Sequence, residues 1–322
     1  NGTNGFKLIG VTAGDLAGSS VGGIGNVNND AFDDIIIGAP GVNGGEGAAY
    51  VVFGSNSFGA MFNLSLLNGS NGFRLDGEST GDAAGNSVGI AGDVNNDGFG
   101  DVIVGSPGSN AGGADAGAAH VLFGAASGFA AAIDLSTLNG TTGYRIAGDI
   151  PGIAAGTSVA GAGDVNNDTF DDVILGAPRA GHNSAANSGS AYVVFGKANG
   201  FANIAVNGLG GADGFRLDGV TADDRSGHAV AGAGDVTGPS ITCVTDRYPI
   251  TANVSGLIAD SVTLRLTSSS LTTPVDSIVA ANGQVLAGWT EHLSSYQVAV
   301  QQQPVDTWCS VVSEGVGVTP HG

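Results

Sequence analysis

The sequence predicts an all-β protein assembled from a repeated unit of short strands. Aliphatic runs such as "DDIIIGAP" and "AAYVVFG" are bounded by Gly, Asn, Asp and Pro, which is typical of short buried strands. Gly accounts for 58 of the 322 residues without a Gly-X-Y period. This composition indicates many tight turns and excludes collagen.

An aromatic residue marks the start of each repeat, and an acidic loop begins 20 residues after it in every case. This half of the unit therefore has a fixed geometry. After Asp235 the expected loop sequence is replaced by "VTGPSITCVTD", so the fourth unit is truncated. The aromatic residues, separated by 67, 71 and 71 residues, are Phe6, Phe73, Tyr144 and Phe215. The units cover residues 4–70, 71–141, 142–212 and the truncated 213–237.

Each unit contains four predicted strands. In the second unit these are "SVGIAG", "DVIVGSP" and "AAHVLFG", and a fourth strand of the "FRLDG" type opens the following unit. Four short antiparallel strands at this period are typical of a blade of a β-propeller or a related radial repeat. Residues 1–237 are therefore predicted to form a partial propeller. Alternating Thr-, Val- and Ser-rich strands predict a small β-sandwich over residues 241–322.

Composition excludes several classes of partner. The formal net charge is −20, and the only lysines are Lys7 and Lys197, so a nucleic-acid backbone would be repelled and cations are the expected partners. No apolar run reaches the roughly 18 residues that a membrane span needs. Cys243 and Cys309 permit one intramolecular disulfide in an oxidising compartment, and two free thiols are the alternative.

The acidic loops carry the clearest chemical signal. With Asp93 as position one of "DVNNDGFGDVI", oxygen-bearing side chains fall at positions one, three, five and nine. Position seven is Phe99 and can offer only its backbone carbonyl. Carboxylates and amides suit calcium, whereas the absence of His and Cys argues against zinc or copper. An EF-hand would need Glu at position twelve, where Val104 stands, so the pattern favours a calcium loop within a β-hairpin.

A turn without metal is the alternative interpretation of the same residues. In an Asx-rich turn, the Asn and Asp side chains accept hydrogen bonds from nearby backbone amides. This explains a single loop well. It explains three loops less well, because clustered carboxylates repel one another when no cation is present.

The stretch "SVGIAGDVNNDGFGDVIVGSP" resembles the FG-GAP repeat of integrin α-subunit propellers and of many bacterial surface proteins. The resemblance covers roughly residues 4 to 237. It implies propeller blades, up to three Ca²⁺ ions bound in the hairpin loops, and an extracellular or cell-surface (secreted) adhesion or scaffold role. The implied ligands are Asn26, Asn28, Asp30, the Phe32 carbonyl and Asp34; Asp93, Asn95, Asp97, the Phe99 carbonyl and Asp101; and Asp164, Asn166, Asp168, the Phe170 carbonyl and Asp172.

The loops depart from the family pattern at two positions. Asn26 replaces an acid at position one, and Ala31 and Thr169 occupy position six, where Gly is usual. We expect a positive φ at position six, which only Gly98 adopts without strain. Calcium affinity is therefore expected to fall from the second loop to the third and then to the first.

A serine-hydrolase pattern is present but is interpreted as accidental. "GSSVG" and "GNSVG" place Ser20 and Ser87 in a Gly-x-Ser-x-Gly context, but Ala229 stands at the equivalent position of the fourth unit. The serine neither follows a strand nor opens a helix, and no His recurs near it. His120 takes a strand position that Tyr50 holds in the first unit, so packing or a strand-surface role is expected.

The sequence as a whole predicts a non-catalytic, calcium-binding module with a protein or glycan ligand. The alternative is the non-catalytic targeting or carbohydrate-binding portion of a secreted enzyme. Trp289 and Trp308 bear on this choice, since they belong either to the core of the sandwich or to a carbohydrate-stacking platform.

Overall fold

A computed structural model describes residues 4–181 and 185–232, together with the backbone of five strands between residues 247 and 302. The chain divides into two compact units, Asn1–Val236 and Thr237–Gly322. The first unit contains all of the repeats. The second begins just after the repeat sequence is lost.

The first unit consists almost entirely of short strands. In the described residues of this unit, a turn labelled α1 (Val42–Gly45), in which Asn43 and Gly44 have positive φ, and three 3₁₀ turns at Leu64–Leu66, Leu135–Thr137 and Val206–Gly208 lie between them. The strands are β1 (Lys7–Ile9), β2 (Ser20–Gly25), β3 (Asp34–Ala39), β4 (Ala48–Val52), β5 (Met61–Asn63), β6 (Gly72–Asp76), β7 (Ser87–Gly92), β8 (Asp101–Ser106), β9 (Ala118–Leu122), β10 (Ala132–Asp134), β11 (Gly143–Ala147), β12 (Ser158–Gly163), β13 (Asp172–Ala177), β14 (Ser190–Val194), β15 (Ile204–Ala205) and β16 (Gly214–Asp218).

These strands form three antiparallel blades, as the repeat predicts. The blades have the strand orders β2-β3-β4-β6, β7-β8-β9-β11 and β12-β13-β14-β16. The last strand of each blade belongs to the following repeat, which confirms the position predicted for the "FRLDG" strands. The described part of the chain is a set of separate blades and contains no closed barrel.

The sequence did not predict a short parallel strand at the blade edge. β10 pairs in parallel with β6, β15 pairs with β11, and β1 pairs with β5. These added strands are only two or three residues long. That length is too short for an alternating pattern to identify them in the sequence.

The hydrophobic core lies between successive blades. The central strands β8 and β9 are buried along their whole length, because both of their faces are covered. The aromatic residues that open the repeats contribute ring stacking to this core. Phe73 stacks on Phe129 with ring centroids 4.5 Å apart, and Tyr144 stacks on Phe201 at 4.8 Å. The spacing of these aromatics in the sequence therefore reflects packing.

The recurring serine links each blade to the next. Each serine is the first residue of its strand, and its hydroxyl oxygen accepts a hydrogen bond from a backbone N–H 68 to 72 residues further along the chain. The serine hydroxyls therefore serve in packing between blades, and these serines do not sit on a nucleophile elbow. The donor–acceptor pairs are Val88 N–H to Ser20 Oγ at 3.1 Å, Val159 N–H to Ser87 Oγ at 3.0 Å and Val230 N–H to Ser158 Oγ at 2.9 Å.

Close backbone contact between blades explains one recurring glycine. A Cβ atom added at Gly105 would overlap the carbonyl oxygen of Gly156 in the next blade.

The preceding blade also covers the first strand of the blade that follows it, which lowers the exposure of that strand's side chains. Val88 and Val159 are 7% and 5% exposed, whereas the equivalent Val21 of the first blade is 67% exposed.

The described residues of the second unit are also strands. They form two antiparallel sheets, one of two strands and one of three, which confirms the all-β character predicted for this segment. Cys243, Cys309 and Trp308 lie outside the described residues, so the disulfide stays a prediction. The strands are β17 (Arg247–Val254), β18 (Val262–Ser268), β19 (Val275–Val279), β20 (Gly283–Glu291) and β21 (Tyr296–Gln302).

Candidate cation-binding loops

The three acidic loops occupy the same place in each blade, the hairpin between its first and second strands. Residues 26–34, 93–101 and 164–172 each follow the last residue of the first strand and end on the first residue of the second. The register shifts by one residue just before each loop, at a β-bulge. The structure therefore gathers the predicted ligand residues into three equivalent turns.

Positions one, three and five converge on the inside of the turn. In the second loop, Asp93 Oδ1 and Asn95 Oδ1 both accept a hydrogen bond from the Asp97 N–H at 3.0 Å. Asp93 Oδ2 accepts from the Gly98 N–H at 2.9 Å. The third loop repeats this arrangement through Asp164 and Asn166, with distances of 2.8 to 3.0 Å. These are the hydrogen bonds expected of an Asx-rich turn, and they bring two side-chain oxygens together at one N–H.

The backbone confirms one conformational prediction and corrects another. Position six has a positive φ of 91° at Gly98 and 80° at Thr169, as expected. The expectation is wrong for Ala31, whose φ is not positive. The sequence analysis also missed position four, where Asn29, Asn96 and Asn167 have φ values of 55°, 55° and 61°. Asn tolerates this left-handed conformation better than most residues, so its recurrence there was an available signal.

Position nine has a structural role that the sequence analysis did not identify. Its carboxylate is buried and accepts two backbone hydrogen bonds, one from position two of its own loop and one from the glycine two residues after the third strand. This clamps the loop onto its blade. The backbone N–H donors are Val27 and Gly54 for Asp34 (2.9 and 2.8 Å), Val94 and Gly124 for Asp101 (2.9 and 2.8 Å), and Val165 and Gly196 for Asp172 (2.8 and 2.9 Å).

These buried carboxylates sit in an unfavourable electrostatic environment. Burial raises the pKa of Asp101 to about 8 and that of Asp172 to about 6, although the backbone hydrogen bonds oppose the shift. Burial also raises the pKa of Asp34. Within residues 4–181 and 185–232, no cationic side chain forms an ion pair with any of the three. A bound cation would favour their charged form.

The chemistry of the donor set suits a hard cation that accepts mixed oxygen ligands. In the described residues, no three His, Cys, Asp or Glu side chains are grouped closely enough to hold a metal by themselves. The loops must therefore combine carboxylates with the amide oxygens of Asn28, Asn95 and Asn166 and with backbone carbonyls. Calcium accepts such a mixture, and its flexible coordination suits a short turn.

The second loop also contacts the following blade. The carbonyl oxygens of Asp93 and Val94 accept hydrogen bonds from the backbone N–H groups of Asp171 and Lys197 in the third blade, at 3.2 and 2.9 Å respectively. The Asp171 carboxylate accepts in turn from the Asp93 N–H at 2.7 Å. Asp171 therefore places its negative charge at the start of the second loop. Ordering this loop would also order the junction between the second and third blades.

His120 forms a separate polar link between blades. Its buried ring lies in β9 and its Nε2 is 3.0 Å from Glu78 Oε1. Glu78 follows β6 of the first blade and also accepts from the Arg145 guanidinium at 2.9 Å. The hydrogen bond with His120 is the largest of the effects that lower the pKa of Glu78 to about 2. His120 thus has a packing role, as predicted, within an ionic link between the blades.

A series of four-stranded antiparallel blades, each with an acidic hairpin loop, defines a repeat protein of the propeller type. The FG-GAP repeat family model matches residues 84–122 and 155–194, the second and third units with their acidic loops. These two stretches are therefore FG-GAP repeats. No helix in the described residues is long and apolar enough to cross a membrane.

Two relatives share this part of the sequence. Integrin alpha pat-2 of Caenorhabditis elegans is 32% identical over 206 residues, which cover 59% of this chain and 14% of the relative. Integrin alpha pat-2 of Caenorhabditis briggsae is 31% identical over 193 residues, covering 55% and 14%. The matched region is therefore a small part of each relative, about one seventh of its length.

Proposed function

We propose that this chain is a calcium-stabilised, non-catalytic adhesion or scaffold module that works outside the cell or at its surface. The observation that carries the proposal is the buried carboxylate at position nine, which has no ion-pair partner among the described residues, in a loop where the side-chain oxygens of positions one and three meet at the N–H of position five. In this proposal Asp93, Asn95, Asp97, Asp101 and the Phe99 carbonyl hold one calcium ion. Asp164, Asn166, Asp168, Asp172 and the Phe170 carbonyl hold a second.

The bound cation would act on structure. It supplies positive charge that offsets the repulsion among the loop carboxylates and the cost of burying position nine. Asp101 connects the loop to the end of β9, and the carbonyls of Asp93 and Val94 connect it to the next blade. A filled loop therefore fixes a blade and its junction in one geometry, which prepares a rigid surface for a protein or glycan ligand.

The adhesion role is supported by similarity to the two relatives, which are named as integrin alpha chains. Because the similarity covers only 14% of each of them, the role, the location and the ligand class are all part of the proposal. The non-catalytic character is supported by the serines of the Gly-x-Ser-x-Gly stretches, whose hydroxyls are used in blade packing.

A binding screen with the whole chain tests this proposal. The immobilised protein would be exposed to arrays of extracellular-matrix proteins and glycans, in calcium and in chelator. We expect at least one ligand to be retained in calcium and released by chelator. The double variant Asp97→Ala/Asp168→Ala should behave in calcium like the chelated protein. Asp213→Ala, which removes an exposed acid outside the loops, should behave like the unmodified chain.

Equal retention of every ligand with calcium and with chelator would contradict the calcium-dependent role. Failure of all protein and glycan arrays in calcium, with the loops loaded, would contradict adhesion while leaving the calcium sites intact.

A further inference from the structure

We propose that the first acidic loop is a cation-independent turn, and that Asn26 is the residue that makes it so. This inference rests on the proposed calcium sites of the second and third loops. It deepens the proposed function because it assigns different ion requirements to loops that have nearly the same sequence.

The second and third loops direct an N–H group toward position one. Asp93 Oδ2 accepts from the Gly98 N–H at 2.9 Å, and Asp164 Oδ2 accepts from the Thr169 N–H at 2.8 Å. A carboxylate has no donor, so the peptide between positions five and six must present its N–H. This orientation requires the positive φ at position six, even at the β-branched Thr169.

The first loop has the opposite peptide orientation. Asn26 Oδ1 accepts from the Asp30 N–H at 3.1 Å, which matches the other loops. Its Nδ2, however, donates to the Asp30 carbonyl oxygen at 2.8 Å. The peptide between Asp30 and Ala31 is therefore rotated, so that its carbonyl faces position one. The amide of Asn26 supplies the donor that this rotation needs.

The residue at position six agrees with the rotated peptide. Rotation removes the need for a positive φ, and Ala31 does not have one. Ala31 therefore sits without the strain that a left-handed conformation would impose on it. Asn26 and Ala31 together form a consistent pair, as do Asp93 and Gly98 in the second loop.

The first loop also carries less negative charge at its ligand positions than the second and third loops do. The first loop has two carboxylates at its ligand positions, Asp30 and Asp34, while the second and third loops each have three. The second loop also receives the carboxylate of Asp171 from the next blade. The equivalent position facing the first loop is Gly100, which has no side chain. Less negative charge is therefore left to be neutralised at the first loop.

The test measures calcium binding by isothermal titration calorimetry on the full chain and on single-loop variants. Asp97→Ala and Asp168→Ala should each lower the stoichiometry by one ion, and Asp30→Ala should leave it unchanged. The exchange Asn26→Asp/Ala31→Gly should add one ion. The reverse exchange in the second loop, Asp93→Asn/Gly98→Ala, should remove one.

Backbone amide NMR gives a readout for each loop that is independent of stoichiometry. Resonances of residues 93–101 and 164–172 should shift between chelator and calcium, while those of residues 28–34, which exclude the two residues bonded to the second blade, should stay in place. Loss of one ion in Asp30→Ala, or a calcium-dependent shift in residues 28–34 like that of the other loops, would overturn the inference. Absence of calcium binding and of shifts in every loop would instead overturn the proposed function on which it rests.

Discussion

The junctions between blades and the acidic loops at their ends are stabilised in opposite ways. At the junctions, the protein's own groups satisfy one another: Ser87 accepts from the Val159 N–H, Gly105 lies against the Gly156 carbonyl, and Glu78 pairs with Arg145. In the loops, each turn carries two or three carboxylates at its predicted ligand positions, and the buried Asp101 has no cationic partner among the described residues.

This difference indicates that the junctions and the loops have separate structural roles within each repeat. The junction hydrogen bonds and glycine contacts need no ion, so they can specify the order of the blades in any medium. The loops hold the carboxylates that bind calcium in the proposed function. Position nine belongs to both regions, because it is a candidate ligand that also bonds to the backbone of its blade.

The largest expected effect distinguishes the acid at position nine, which bonds to the blade, from the exposed acid at position five. Asp101→Ala removes the acceptor of two backbone N–H groups, so we expect a loss of about 3 kcal/mol in the free energy of unfolding, even in chelator. Asp97→Ala removes an exposed side chain and should cost less than about 1 kcal/mol in chelator. Denaturant unfolding of both variants measures this contrast. Equal stability of the two variants in chelator would show that position nine is only a ligand.

An intermediate effect is expected at the blade junction. Gly105→Ala places a methyl group against the Gly156 carbonyl, so the blades must move apart, at a cost of about 2 kcal/mol. Because no loop is involved, the loss should be the same in calcium and in chelator. Gly208→Ala is the control, since a Cβ there meets no atom within 4 Å. A loss that calcium restores would mean that junctions and loops are not separate.

The smallest of the three effects concerns the ionic link between the first two blades. Glu78→Gln weakens the bonds to His120 and Arg145 and should cost about 1.5 kcal/mol near neutral pH. The folded-state pKa of Glu78 is lowered to about 2, below its ordinary value, so its stabilisation is present above about pH 4.5 and is lost as pH falls toward 2.

The difference between the unmodified chain and Glu78→Gln should therefore shrink as the pH falls from 6 to 3. Thermal unfolding in chelator across that range measures it. A difference that stays constant with pH would remove the ionic link from the junction and leave only packing there.

Local patterns were sufficient to predict the blades and the location of the loops. The hydrophobic runs and the constant spacing from Phe73 to Asp93 depend on residues near one another in the chain. The parallel pairing of β10 with β6 was missed because it joins three-residue segments far apart in sequence.

The details of the loops were less predictable, for two physical reasons. The anchoring of Asp101 depends on the Gly124 N–H, 23 residues away, which no loop motif contains. The conformation of Ala31 depends on the amide nitrogen of Asn26, so a change of one atom type rotates a peptide. Sequence analysis treated Asn26 as a weaker ligand, whereas the structure gives it a donor role.

Thermal unfolding in calcium and in chelator tests the calcium-stabilised loops most directly. A ligand that binds only the folded state stabilises it by about 2.7 kcal/mol per site at a concentration of about 100 times Kd, which should raise Tm by several degrees. Magnesium should substitute poorly, because its rigid octahedral shell fits the turn less well. We expect the unmodified chain to melt at a higher temperature in calcium, and Asp97→Ala/Asp168→Ala to melt at the same temperature in both media. Superimposable curves for the unmodified chain in calcium and in chelator would contradict a structural role for the cation.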